Sequence, residues 1–140
     1  MATERWEHFS HEADIGVRGY GGSKAAAFEQ AARAALAVVV DLDTVQARER
    51  IDIACEAPDD VLLLVDWLNA IVFEIATRQM LFSRVEVEMD GLRLMARLWG
   101  ELIDLDRHQP GVEIKGATYT EARVEYRPDG TWMAQCVVDV

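Results

Sequence analysis

Apolar residues recur in this chain with two different periods, and the changes of period divide it into elements. Phe28, Ala31, Ala32, Ala35, Leu36 and Val39 fall at helical spacing, which predicts a helix over about 24–40 with a small-residue face against something flat, and Ser23 as its N-cap. A second stripe, Val61, Leu64, Val65, Leu68, Ile71, Val72 and Ile75, predicts a helix opening at "APDD" and ending near Gln79. There Pro58 suits the first helical position, and Asp59 and Asp60 put negative charge at the positive end of the helix dipole.

Elsewhere the period is two. "RERIDIACEA" sets Ile51, Ile53 and Cys55 against Arg50, Asp52, Ala54 and Glu56, as a half-buried strand requires. "RVEVEMDGLRLMARL" reads as a hairpin, with Val85, Val87 and Met89 on one arm, Leu92, Leu94, Ala96 and Leu98 on the other, and Asp90-Gly91 as its two-residue turn. A second hairpin turns at "RPDGT" and ends the chain. Residues from Glu4 to about Tyr20 are strand-like, broken near "SHEAD", and close on the glycine cluster "GYGGS". Antiparallel strands with two helices make an α+β fold, its antiparallel β-sheet or sheets packed with both α-helices, in a single domain over 1–140.

Composition narrows the function classes. The formal net charge is −11, whereas nucleic-acid binders present a basic footprint to the phosphates, so no strong direct RNA or DNA binding is expected. An acidic surface suits a cation, a protein partner whose own face is basic, or solubility alone. Cys55 and Cys136 form no CxxC, "MATERWEHFS" has no apolar leader core, and "VLLLVDWLNAIVFEIA" is too short and too polar to span a bilayer. A cytoplasmic location with reduced thiols and no membrane association follows as the expectation.

Few residues carry candidate chemistry. Ser10, His11 and Asp14 are close in sequence, but neighbours on a strand point to opposite faces, which argues against a catalytic triad. His8, His11 and His108 have no zinc-type spacing; His8 reads as structural, and His11, three residues before Asp14, could orient that carboxylate. Hard divalent cations favour several oxygens, and on the last strand Asp139 ends the face of Met133, Gln135 and Val137, one residue from the α-carboxylate of Val140. If the first and last strands pair, Asp14, Asp139 and Val140 make a three-carboxylate site; otherwise they are solvated strand ends.

The chain resembles the archease family at four ordered stretches: "HEADIGVRGYGGSKAAAFEQAARAAL", "LLLVDWLNAIVFE", "GELID…H…EIKGATYT" and the terminal "VVDV". That resemblance implies a cytoplasmic, non-enzymatic activator of the RtcB-type RNA ligase of tRNA splicing and RNA repair, which joins a 3′-phosphate or 2′,3′-cyclic phosphate to a 5′-hydroxyl. The family is thought to promote guanylylation and multiple turnover of that ligase. It also implies a divalent cation (Ca, or Mg or Mn) at Asp14, Asp139 and the Val140 carboxylate, with His11, Glu12, Glu113 and Lys115 as residues around the site or on the partner-binding face. Glu113 and Lys115 read equally well as a solvated pair. Glu12 stands where many relatives have Thr, and Thr120 where many have His. Two further readings remain, a chaperone or modulator of an RNA-modifying enzyme such as a tRNA methyltransferase, and a metal-dependent hydrolase.

Overall fold

A computed structural model describes residues 3–140; Met1 and Ala2 of the expected domain lie outside the described residues. The first half contains β1 (Arg5–His11), β2 (Asp14–Gly21), α1 (Lys24–Val39), β3 (Glu49–Glu56) and α2 (Asp60–Arg78). The second half contains β4 (Met80–Asp90), β5 (Arg93–Leu102), a four-residue α3 (Leu105–His108), the two-residue β6 (Gly116–Ala117), β7 (Arg123–Tyr126) and β8 (Trp132–Asp139). One sheet has the order β1-β2-β8-β6, with β7 also on β8; the other has the order β3-β5-β4, and every pairing is antiparallel.

β2 is central to its sheet because glycine lets other groups come close on both of its faces. A Cβ at Gly19 would stand 2.2 Å from Ala31 N and 2.4 Å from Ala27 O, so α1 lies directly on the strand. The predicted small-residue face of α1 answers this: Ala27, Ala31, Ala32, Ala34 and Phe28 are fully buried. Ser23 caps the helix by accepting from Ala26 N.

Asp59 is the N-cap of α2, its side chain accepting from Leu62 N, so Pro58 precedes the cap and is not the first helical residue. Leu63 and Trp67 are buried along with Leu64, Val65, Leu68 and Ile71 of the predicted stripe, because α2 touches α1 and strands of both sheets, whereas Val61, Val72 and Ile75 of that stripe are half-buried. Trp67 Nε1 donates to Phe28 O at 3.0 Å, tying α2 to α1. Each such large side chain taken from water stabilises the fold by roughly 1.5–3 kcal/mol.

The β4–β5 hairpin turns at Gly91-Leu92, one residue later than predicted, since Asp90 pairs with Arg93. Gly91 takes a positive φ of 60°, which the turn requires and glycine allows. Leu92 is consequently exposed, while Leu94, Ala96 and Leu98 are buried as expected. β4 also begins earlier than its alternation suggested, because Met80, Leu81 and Phe82 are all buried and give no two-sided pattern.

Replacing Gly19 with Ala should cost about 1–3 kcal/mol, since the added methyl meets helix main chain that cannot rotate away. Urea unfolding measures it, and a Gly19→Ala protein as stable as the parent would contradict this close approach.

Candidate functional site

The register of β2 and β8 runs from Gly21 opposite Trp132 to Ile15 opposite Val138, and Asp14 and Asp139 are the next residue of each strand beyond that last pair. Residues directly opposite in an antiparallel pair project to the same side of the sheet. Asp14 begins β2, just after the Glu12-Ala13 turn in which Glu12 has φ 53°. Its Oδ1 accepts the Val140 N–H at 3.4 Å, so the carboxylate that looked misplaced in a strand holds the last residue of the sequence. Asp139 is exposed; Asp14 and Val140 are half-buried.

The far side of this edge is fixed by α2. β6 lies along the end of β8, with Gly116 opposite Asp139, and Lys115 N donates to Asp139 O at 2.8 Å. Asn69 of α2 grips β6 with both ends of its amide: Oδ1 accepts from Ala117 N at 2.8 Å, and Nδ2 donates to Ala117 O at 3.3 Å. One helix side chain thus takes the place of a further strand. Between β6 and β7 the chain bulges out, with Glu121 at φ 53°, and Thr120 lies in the bulge, exposed, its O accepting from Val137 N.

The other expected residues divide. His11 pairs directly with Asp14 across the turn, on the same side of the sheet, though no side-chain hydrogen bond joins them. Glu12 is exposed beside it, and Glu113 and Lys115 are exposed on the segment leading into β6. Ser10 pairs with Ile15 and belongs to the opposite side from His11, so no triad assembles. His8 is structural, its Nε2 donating to Ala34 O at 2.8 Å and its ring lying against Trp6.

For a divalent cation the side-chain donors at this edge are the carboxylates of Asp14 and Asp139. Neither Asp14 nor Asp139 takes part in an ion pair among the described residues, so both carboxylates are free to accept a cation. Among those residues no three His, Cys, Asp or Glu side chains come together to hold a metal.

Sequence reasoning missed an ionic cluster around the buried Glu101 near the end of β5. Glu101 accepts from both terminal nitrogens of Arg107 at 2.8 Å each, from Gln46 N at 2.8 Å and from His108 Nε2 at 2.9 Å. Asp104 N donates to His108 Nδ1 at 2.9 Å, so the ring proton sits on Nε2 and is given to Glu101. Arg107 above all, with the Gln46 amide and His108, holds the Glu101 carboxyl well below its ordinary 4.5 in spite of burial. "GELID…H" carried only a resemblance in the sequence; nothing in its spacing shows that Glu101 is covered by a turn of helix six residues on.

Comparison with known proteins places the chain in a family and a fold. Residues 6–140 match the model of the Archease protein family (MTH1598/TM1083). The protein archease of Thermococcus gammatolerans is 40% identical over 140 residues, covering 97% of this chain and 99% of that protein. The solution structure of Methanobacterium thermoautotrophicum protein 1598 superposes with a TM-score of 0.74 at 32% identity, covering 96% of this chain and 98% of that one. The crystal structure of a Thermotoga maritima archease, described there as a possible chaperone, has a TM-score of 0.58 at 19% identity, covering 96% of each chain, and shares the fold.

Two outcomes follow from the supports of the edge. Asn69→Ala should cost about 1–3 kcal/mol by leaving the Ala117 N–H and C=O unpaired, and should speed hydrogen exchange at Ala117; unchanged exchange would contradict the grip. Because the folded-state pKa of Glu101 is depressed, its contribution is complete above its ordinary 4.5 and is lost as pH falls below that value. Glu101→Gln should therefore be less stable than the parent near neutral pH, with the gap narrowing in acid; urea midpoints against pH measure this, and a constant gap contradicts it.

Proposed function

This chain belongs to the archease family, and on that premise we propose that it is an accessory activator of an RtcB-type RNA ligase that joins 3′-phosphate or 2′,3′-cyclic-phosphate RNA ends to a 5′-hydroxyl. The observation that supports the reading is that Asp14 accepts the Val140 N–H at the end of the β2–β8 ladder, next to the exposed Asp139. Activation here means binding the ligase more tightly in the state competent for guanylylation than in other states, which raises multiple turnover without chemistry by the activator itself.

In this reading Asp14, Asp139 and the Val140 carboxylate hold a divalent cation, calcium, magnesium or manganese. Such an ion supplies a positive centre able to take oxygen ligands from a phosphate or from a partner carboxylate. Asp14 orients the chain end through the Val140 N–H; Asn69 and β6 hold Asp139 from the other side. Glu113 and Lys115 line the partner-facing rim, and His11 and Glu12 flank Asp14. With a net charge of −11, the protein is complementary to a ligase face that is basic because it handles RNA, and it needs no strong RNA contact of its own. No helix of the described residues is long and apolar enough to cross a membrane, and a cytoplasmic setting belongs to the proposal.

Multiple-turnover ligation with GTP and a divalent metal, with and without this protein, tests the reading. The protein should raise turnover, and Asp14→Ala, Asp139→Ala or a C-terminal extension should each abolish most of the rise. A rise unaffected by all three would refute the role of the edge. A general chaperone would instead suppress ligase aggregation regardless of Asp14, and a hydrolase would cleave a phosphoester alone.

A further inference from the structure

A cleft of about 540 Å³ opens between the C-terminal half of α2 and the segment that precedes β6. Its apolar lining includes Val72, Ile75, Leu81 and Ile114, and its only charged lining residues are Glu113 and Lys115, on the same segment. Lys115 is also where this segment meets the carboxylate edge, through its N–H to Asp139 O. The cleft and the edge are therefore neighbouring parts of one surface.

Helical spacing extends the apolar part of that surface. Asn69, Phe73 and Ala76 stand at i, i+4 and i+7 on α2 and share one face. Asn69 holds β6 beside Asp139, Ala76 lines the cleft, and Phe73 lies between them, 62% exposed. A phenylalanine so exposed contributes little to the core, while Trp67 and Leu68 on the same helix are buried.

Charge selects the occupant. Glu12 and Glu113 outnumber Lys115 around this surface, a divalent cation cancels only part of the charge of the edge carboxylates, and the whole chain carries −11. We propose that the cleft and Phe73 receive a segment of the RNA ligase that presents a large apolar side chain with Lys or Arg residues beside it, the basic residues facing the carboxylate edge. This assignment rests on the activator reading above and names where that partner docks. Apolar contact supplies the affinity, and the acidic flank sets the orientation and speeds encounter.

Calorimetric titration of full-length ligase with the full chain tests it, alongside the ligation assay. Ala76→Arg puts a long cation across the cleft, and Phe73→Ala removes the exposed ring; both positions are exposed, so thermal stability should stay at the parent's value. Each should weaken ligase binding about tenfold or more, as loss of an interface anchor does. Ala54→Arg, on the exposed face of β3 in the other sheet, should leave affinity unchanged. If both cleft variants bind as the parent does while the parent still stimulates the ligase, the docking assignment is overturned and the activator reading stands. If the parent neither binds nor stimulates the ligase, the activator reading fails and takes the docking assignment with it.

Discussion

Everything distinctive in this structure depends on the antiparallel register between β2 and β8, two strands from opposite ends of the sequence. Arg18 Nε donates to Gln135 Oε1 at 2.8 Å across 117 residues of chain, and Arg18 also pairs with Glu7 of β1. The guanidinium of Arg18 above all holds the Glu7 carboxyl down at about 2, with Tyr20 and Arg5 adding to it. A slip of one residue would turn Val17 and Cys136 from the core to the opposite face, which their complete burial forbids. That register ends at Ile15 and Val138, one residue short of Asp14 and Asp139, so core packing sets these two carboxylates at the same end of the sheet.

The rest of the molecule holds that edge from outside. Trp67 fixes α2 to α1, so that Asn69, two residues later, reaches β6 and completes the side of β8 that has no full-length strand. The Glu101 cluster anchors the start of the segment running from Ile103 to β6, and Gly111 N, donating to Val39 O at 2.8 Å, fastens its middle. On the other sheet, Glu29 of α1 accepts from Val87 N and occupies a free amide of the edge strand β4. Long-range pairing of this kind forms late in folding, because loop closure is costly before the contacts that reward it exist.

Local chemistry made much of the fold legible. α1 with its Ser23 cap, α2 and its end at Gln79, β3, both hairpins and the α+β class all follow from periodicity and capping, because each is decided by residues within a few positions of one another. The errors were also local: Asp90-Gly91 is a familiar turn pair, yet the ladder continues through Asp90 and turns at Gly91-Leu92. What local pattern could not show was anything closed by distant chain. The burial of Glu101 and His108, the part played by Asn69, and the interrupted edge strand made of β6 and β7 depend on segments far away in sequence. Asp14 lies between these cases, because strand periodicity and the archease resemblance pointed to the pairing with Asp139, and the hydrogen bond from Val140 N became visible only in three dimensions.

Paramagnetic manganese tests the proposed divalent-cation site at Asp14, Asp139 and Val140 residue by residue. In backbone amide NMR spectra, substoichiometric Mn²⁺ added to the metal-free protein should first broaden Ile15, Gly116, Val138 and Val140, and excess Ca²⁺ should restore them. Broadening that begins instead around other acidic positions, such as Glu86 and Glu88 on β4, or that spreads evenly over the acidic surface, would contradict the account.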